Sequence, residues 1–217
     1  MWGPAAPAGP WHRSRAELVR VHNFGVSRDG YAAGQGQSLQ RPFGSADPQD
    51  LVGWAMETGL ADYLVREFHR NIGAEIMGRN KFGPQRGPWT DHEWQGWWGP
   101  EPPFHTPVFV MTHHERPSFM LSDTTFHFVG GDPATVLGLA LDAADGKDVR
   151  LGGGATTVRQ FLDAGLIDTL HVAVAPVELG AGTRLWVSPD ELLDRYHRDV
   201  VAGVDGVVHH LFWRELP

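Results

Sequence analysis

The chain of 217 residues contains no cysteine. This absence excludes disulfide bonds, cysteine nucleophiles and thiolate metal sites, and it suits the reducing cytoplasm, which is the expected location. No apolar run approaches the length of a membrane span, and residues 1–10 lack the basic start and apolar block of a signal peptide. We therefore expect a flexible leader at residues 1–16, followed by a single domain at residues 17–217.

Basic residues do not outnumber acidic ones in this chain. The net charge of −8 argues against broad electrostatic binding to DNA or RNA, although a local basic site for a few phosphates stays open. Metal-ligand spacing is absent as well, because the pairs His113-His114 and His209-His210 would point to opposite faces of a strand. The expected partner is a small-molecule substrate, with no nucleic acid, no membrane and no metal.

Strand-like and helix-like patterns alternate along the chain. Strands are predicted at 18–25, 74–77, 108–112, 125–129, 148–151 and 169–177. Helices are predicted from Asp47-Pro48, at about 59–70, from Asp132-Pro133 to about 144, and after the glycines at 152–154. Residues 195–214 are predicted to form two strands around Asp205-Gly206. The alternation predicts an α/β fold with a mostly parallel sheet and a C-terminal antiparallel hairpin.

The most informative segment is the turn Gly152-Gly-Gly-Ala-Thr-Thr157, between a predicted strand and a predicted helix. Glycine lets the backbone approach a ligand closely, and the N–H groups and positive dipole end of a helix favour a phosphate. The spacing is not the G-x-G-x-x-G pattern of Rossmann folds. Alone, the segment leaves nucleotide binding and a plain tight turn open.

Three further polar segments lie at strand ends: Asn23-Phe-Gly-Val-Ser27 with Asp29-Gly30, Met77-Gly-Arg-Asn80, and Thr112-His-His114. In this order, and together with the glycine turn, they resemble the dihydrofolate-reductase-like family. The likeness is closest to bacterial proteins similar to the riboflavin-biosynthesis reductase (RibD C-terminal) domain, and it covers residues 18–214. It implies a three-layer dihydrofolate-reductase-like fold, NADPH as hydride donor, and a homodimer with 169–177 and the tail strands as candidate contacts.

The resemblance also implies which residues contact the cofactor. The resemblance places Gly78, Arg79 and Asn80 near the phosphates, and Thr112, His113 and His114 at the adenosine ribose and its 2′-phosphate. Around the pyrophosphate and the nicotinamide ribose it places Gly152, Gly153, Gly154, Ala155, Thr156 and Thr157. Ser27 would lie in the turn beside the nicotinamide.

The residue types alone allow other interpretations of these positions. Arg79 could form a surface ion pair, Thr156 could cap its helix, and His113-His114 could be an exposed turn. Family members often have Ser-Arg at the His-His position. A histidine carries only part of a positive charge near neutral pH, so the preference for NADPH over NADH stays open.

Hydride transfer to a C=N or C=O bond needs a proton source near the accepting atom. The resemblance points to a carboxylate on the helix before Met77, where Asp62 lies, with Glu57 and Glu67 as competitors; the ordinary alternative is an exposed helix carboxylate. Asp29 is a second catalytic candidate, although aspartate in such a segment is more often a turn former. The chain lacks the Pro-Trp pair that folate reductases carry after the first loop, which argues against dihydrofolate as the substrate.

Residues 79–106 are rich in glycine, proline and tryptophan and show no period, which is typical of a binding loop or lid. Trp89, Trp97 and Trp98 are predicted to bind the substrate as an aromatic wall for a flat heterocycle; the alternative is packing on the core or on a second subunit. The sequence thus predicts an NADPH-dependent reductase of a small heterocyclic, imine or carbonyl substrate. The sequence does not single out one carboxylate as the catalytic proton donor. The alternative is therefore a nucleotide- or ligand-binding protein that keeps the fold without catalysis.

Overall fold

The computed structural model describes residues 17–56, 60–68 and 70–214, without the side chains of residues 60–62 and 68. The predicted leader at 1–16 and Glu57 lie outside these residues. The strands are β1 (Val19–Ser27), β2 (Tyr31–Ala33), β3 (Ile72–Gly78), β4 (Val108–Met111), β5 (Phe119–Leu121), β6 (Thr124–Val129), β7 (Asp148–Gly153), β8 (Thr169–Ala175), β9 (Thr183–Arg184), β10 (His197–Ala202) and β11 (Val208–Trp213). The α-helices are α1 (Pro48–Val52), α2 (Leu60–Phe68), α3 (Arg79–Phe82), α4 (Pro133–Ala144) and α5 (Ala155–Asp163), and short 3₁₀ helices cover Gly53–Met56 and Pro189–Leu192.

Nine strands form one sheet in the order β10-β11-β8-β1-β7-β3-β4-β6-β5. The pairs from β8 to β6 are parallel, whereas β11 runs antiparallel to both β10 and β8, and β5 antiparallel to β6. This confirms the predicted fold class and the C-terminal hairpin. The sequence missed β2, β5 and β9, because segments of two or three residues are too short to show a period.

The predicted caps begin their helices as expected. The carboxylates of Asp47 and Asp132 accept hydrogen bonds from the amides of Gln49 and Thr135, at 2.9 and 2.8 Å. Gly165, at φ 66°, provides the left-handed residue just after α5. No helix in the described ranges combines the length and the apolar character that crossing a membrane requires.

The two faces of the sheet differ in chemistry. On one face, α4 and α5 bury an aliphatic core against alternate strand residues such as Val21, Ile76 and Leu151. The neighbouring residues point to the other face, where several of them are charged or polar and nevertheless buried: Arg20, His22, Glu75, Arg150 and His171. Parallel strands that are covered on both faces usually consist of continuous apolar runs. Buried charged residues on these strands are therefore unusual, and we expect a site on the face that carries them.

The position of β8 bears on the predicted dimer contact. β8 pairs with β1 on one side and with β11 on the other, so it has no free edge to offer a second chain. Of the tail strands, β10 forms the edge of the sheet.

Candidate functional site

A cleft of about 1010 Å³ opens at the carboxyl ends of the central parallel strands. It is lined by part of β1, by the segments that follow β3, β4 and β6, by the end of β7 and by the start of α5. Ligands of open α/β sheets bind outside this edge, where loops and helix N-termini meet. The cleft is therefore the candidate site.

The N-terminus of α5 opens into this cleft without a side-chain cap. Gly154 is its N-cap residue, no side chain accepts from the first-turn amides, and a Cβ at Gly154 would meet nothing within 4 Å. At Gly78, in contrast, a Cβ would lie 2.1 Å from Thr157 Oγ1, so only glycine lets the end of β3 approach α5 this closely. Free amides and the positive dipole end of the helix favour an anion at this point.

Arg79 brings to the same cleft a cation that has no acidic partner among the described residues. Its guanidinium lies 3.9 Å from the centre of the Trp89 ring, and Nη1 donates to the Gly87 carbonyl at 2.6 Å. Its Nε and Nη2 are buried and have no hydrogen-bond partner among the described residues. Burial, followed by the nearby charge of Arg86, lowers the pKa of Arg79. A phosphate would supply both the acceptors and the negative charge that this position lacks.

The turn after β4 is held by Thr112 and Trp89. The Thr112 hydroxyl accepts from the His114 amide at 3.1 Å, and Trp89 Nε1 donates to the His114 carbonyl at 2.9 Å. Thr112, His113 and His114 all line the cleft. Trp89 does not line it, so its predicted contact with substrate is corrected: it is buried and supports Arg79 and this turn.

β1 is irregular where it lines the cleft. Its register with β8 shifts between Val21 and Phe24, and Asn23 has a left-handed φ of 57°. This bulge brings His22, Asn23 and Phe24 to the cleft wall. Bulges next to active sites re-aim side chains in this way.

Lys81 lines the cleft, and the buried residues Glu75 and Arg150, which do not line it, contact each other and Lys81; we call these three residues the charged floor. Lys81 Nζ lies 3.2 Å from Glu75 Oε1, and Arg150 Nε donates to Glu75 Oε2 at 2.7 Å. The side chain of Glu75 is fully buried, and that of Arg150 is 2% exposed. This cluster was not predicted from the sequence. Glu75 and Arg150 each interrupt an apolar strand, and this pattern could have indicated it.

Ser27 and Asp29 do not lie among the residues that line the cleft. Ser27 Oγ donates to Asp29 Oδ1 at 2.6 Å, and the amides of Leu179 and Gly180 donate to the same carboxylate at 3.1 and 2.7 Å. Burial opposes ionisation of Asp29, but these hydrogen bonds outweigh it and hold its pKa below the ordinary value. Asp29 is thus a turn-forming carboxylate, and the structure gives it neither the position nor the protonation of a proton donor.

Of the other acid candidates, Glu67 is the one whose side chain is described, and it does not line the cleft. Asp62 falls on α2, but its side chain lies outside the described part of the structure, as does Glu57. Glu67 is buried and pairs with Arg70 at 3.1 Å.

The structure brings most of the predicted cofactor residues together at the cleft. Those that line it are Gly78, Arg79, Asn80, Thr112, His113, His114, Gly152, Gly154, Ala155, Thr156 and Thr157. Gly153 does not line it: its φ is 105°, and a Cβ there would lie 2.8 Å from the Phe24 ring.

The tryptophans of the long loop divide between packing and the cleft. Trp97 and Trp98 line the cleft, whereas Trp89 and Trp94 pack with Phe82 and other aromatic side chains against β4 and β6. Trp97 Nε1 also donates to the Lys81 carbonyl at 2.8 Å. The packing alternative thus holds for Trp89 and Trp94, Trp98 both lines the cleft and packs against Phe104, and contact of Trp97 and Trp98 with a substrate stays a prediction.

The cleft suits an elongated ligand with negative charge near its middle. The α5 N-terminus and Arg79 offer donors for phosphates, the turn at Thr112 offers polar contacts at one end, and β1 closes the other end beside the charged floor. Such a set of donors could hold a dinucleotide. The described residues contain no group of three or more acidic or histidine side chains placed to hold a metal ion.

A family model described as the RibD C-terminal domain matches residues 20–197. Among curated proteins, the uncharacterized protein YyaP of Bacillus subtilis is 32% identical over 68 residues, which are 30% of this chain and 36% of that protein. The matched part therefore spans about a third of this relative.

Solved structures share the fold at low identity. A putative riboflavin biosynthesis protein from Shewanella sp. PV-4 has a TM-score of 0.55 and 21% identity, over 93% of this chain and 99% of that one. Dihydrofolate reductase from Enterococcus faecalis, complexed with NADP(H), has a TM-score of 0.53 and 14% identity, over 92% and 97%. A diaminohydroxyphosphoribosylaminopyrimidine deaminase/5-amino-6-(5-phosphoribosylamino)uracil reductase from Thermotoga maritima has a TM-score of 0.53 and 14% identity, over 92% of this chain and 57% of that one.

Proposed function

Because the chain belongs to the RibD C-terminal domain family, we propose that it is a reductase that uses NADPH to reduce a C=N or C=O bond of a small, pyrimidine-like heterocycle. The observation that carries the proposal is the pairing of two anion-binding features in one cleft. These are the uncapped N-terminus of α5 and the buried Nε and Nη2 of Arg79, which have no partner among the described residues.

The residues of this chain would bind and orient both reactants. The amides of α5 and Arg79 would hold the phosphates, and the turn at Thr112 the adenosine end. The other end of the dinucleotide would then point along the strand ends towards β1 and the charged floor. When bound, NADPH supplies a hydride, and the protein contributes positioning and exclusion of water, for which Trp97 and Trp98 stand at the cleft edge.

Arg79→Met is expected to weaken NADPH binding by about tenfold or more, because a charge-assisted hydrogen bond to phosphate is lost. Arg159→Met is the matched control, since Arg159 is exposed on α5 and does not line the cleft. Binding is measured by the fluorescence of the reduced nicotinamide during titration. If the unaltered protein showed no saturable binding of NADPH, the proposed reductase activity would be refuted.

Turnover is tested by loss of reduced-nicotinamide absorbance with 5-amino-6-(5-phosphoribosylamino)uracil, after which the Thermotoga maritima reductase is named, and then with other pyrimidines. One observation favours the second candidate, a nucleotide-binding protein without catalysis: among the described lining residues the only carboxylate is Asp132, which caps α4. NADPH binding without turnover over the whole panel would favour that candidate.

We further propose a homodimer that forms through the edge strand β10. Among the described residues this strand has one unpaired edge, and Val200 on it is 53% exposed; an exposed apolar edge strand is a template for pairing with another chain. Light scattering is expected to give twice the 23.9 kDa mass of one chain, and Val200→Lys to shift the protein towards the monomer. A monomeric mass for the unaltered protein would refute the dimer.

A further inference from the structure

Lys81 is placed in the cleft by contacts at both its backbone and its side chain. It is the third residue of α3, directly after the Gly78 end of β3, and it lines the cleft. Its carbonyl accepts the hydrogen bond from Trp97 Nε1 at 2.8 Å, which ties the loop to this residue. Its ammonium group lies 3.2 Å from Glu75 Oε1. These contacts restrict the position of the ammonium group.

The groups around Lys81 influence the protonation of its ammonium group as well as its position. Glu75 shares its carboxylate between Lys81 and Arg150, so the charged floor carries one net positive charge. Both cations also lie near the Phe104 ring, at 5.9 and 5.6 Å from its centre. Burial lowers the pKa of Lys81, and the charge of Glu75 only partly offsets this shift.

Gly152 leaves the space that this arrangement needs. A Cβ there would lie 2.3 Å from Glu75 Oε1 and 2.4 Å from Lys81 Nζ, so any side chain would displace the pair. Gly152 lies on β7, between β3 and β1 in the sheet. The ammonium therefore stands where the cleft passes from the phosphate donors towards β1, which is the reacting end in the proposed function.

Other acids in the described lining do not compete at this end. Asp132 caps α4 beyond β4, where its hydrogen bonds from Thr135 lower its pKa. His22 does lie on β1, but burial, followed by the charge of Arg20, holds its pKa well below the ordinary value, so it is neutral near pH 7. His113 and His114 follow β4, at the other end of the cleft.

We propose that Lys81 is the catalytic proton donor to the heteroatom of the substrate, and that Glu75 and Arg150 are positioning residues that hold its ammonium group. This rests on the proposed function. As the substrate carbon of C=N or C=O gains the hydride and its electron pair, the π electrons move onto the nitrogen or oxygen. That atom forms a bond to a proton of Lys81 Nζ, and the electrons of the broken N–H bond remain on Nζ as a lone pair. The neutral amine takes a proton from water through the open cleft, so substrate, NADPH and one proton give reduced substrate and NADP⁺.

Lys81→Met is expected to lower kcat by roughly 100-fold or more and to leave the affinity for NADPH unchanged. The assay uses NADPH with 5-amino-6-(5-phosphoribosylamino)uracil. Lys147→Met is the matched control, because Lys147 is exposed and is the only other lysine of the chain. With the lysine in place, kcat is expected to fall as the pH rises through the pKa of Lys81. In Lys81→Met this alkaline loss should disappear.

Lys81→Arg separates proton donation from charge alone. Arginine keeps the positive charge but does not release its proton near neutral pH, so kcat should stay low. Full recovery of kcat with arginine would overturn the proposal, as would an unchanged alkaline pH profile in Lys81→Met.

A readout without turnover separates this proposal from the proposed function. Reductive methylation with ¹³C-formaldehyde labels Lys81, Lys147 and the α-amino group, and the variants Lys147→Arg and Lys81→Met assign the two lysine signals. Adding the same uracil in the presence of NADP⁺, with which no hydride can move, is expected to shift the Lys81 signal and not that of Lys147. An unmoved Lys81 signal overturns the proposal, whereas a failure of NADP⁺ and NADPH to bind overturns the proposed function.

Discussion

Gly154→Asp is expected to weaken NADPH binding by about 100-fold or more while the protein stays folded. Gly154 has the extended backbone of an N-cap residue, with φ −72°, and a Cβ there meets nothing within 4 Å. Aspartate is a favoured N-cap residue, so it would accept hydrogen bonds from the first-turn amides of α5 and interact well with the helix dipole. The same carboxylate would take the amides away from a phosphate and repel its charge. Stability and cofactor affinity should therefore move in different directions.

The neutral variants Gly154→Asn and Gly154→Ala separate charge from shape. Asparagine can cap the helix without a charge, and alanine adds only a Cβ, so the loss of affinity should fall in the order Asp, Asn, Ala. Titration of NADPH gives Kd, and thermal unfolding reports the fold. Gly153 is a poorer position for this test, because its φ of 105° and its contact with Phe24 would strain any substitution. Unchanged affinity in a folded Gly154→Asp protein would refute phosphate binding at α5.

Local sequence signals were enough to predict most strands of the sheet and most of the predicted cofactor residues that line the cleft. Aspartate-proline caps, apolar strands and the triple glycine each act within a few residues, and the structure places them as expected at α4, β7 and α5. The order of polar strand ends along the chain then fixed which segments meet at the carboxyl edge.

The residues that the sequence misplaced or missed depend on contacts between distant segments. Nothing near Asp29 shows that Leu179 and Gly180 will occupy its carboxylate. Trp89 and Trp97 have the same residue type in the same loop, yet one is buried beneath Arg79 and the other lines the cleft. Glu75 and Arg150 are 75 positions apart, and only the pairing of β3 with β7 makes them partners.

Stability is expected to fall on acidification, by about 2 kcal/mol or more between about pH 7 and about pH 5. Three buried histidines on the polar face of the sheet carry this effect. Burial holds the pKa of His22 and of His171 well below the ordinary value and lowers that of His209 to about 4. In the unfolded chain each histidine gains its proton below about pH 6.5, whereas the folded protein resists it. The penalty is thus absent above that pH, grows as the pH falls, and stops growing for His209 near its folded pKa of about 4.

The contacts explain why these rings stay neutral. His171 Nδ1 lies 3.1 Å from both the backbone nitrogen and Oδ1 of Asn23, and His171 Nε2 lies 3.0 Å from His209 Nδ1, so a single proton can bridge the two rings. If both rings were protonated, the N–H groups of His171 Nε2 and His209 Nδ1 would face each other across this contact. Trp54 packs edge-on against both rings and keeps water away. His209, with a folded pKa of about 4, should cost about 2 kcal/mol at pH 5, and His22 and His171 add to this loss in the same direction.

Urea unfolding at a series of pH values, followed by tryptophan fluorescence, measures this dependence. His209→Asn is the informative variant, because the asparagine side chain can still meet His171 Nε2 but does not titrate. It is expected to lower stability at pH 7 and to flatten the slope below pH 6 by up to one proton, about 1.4 kcal/mol per pH unit. His105→Asn is the matched control, since His105 is exposed beside Asp123, away from the polar network of His171 and His209. Equal stability at pH 7 and pH 5, or the same slope in His209→Asn as in the unaltered protein, would show that these rings are not kept neutral by the fold.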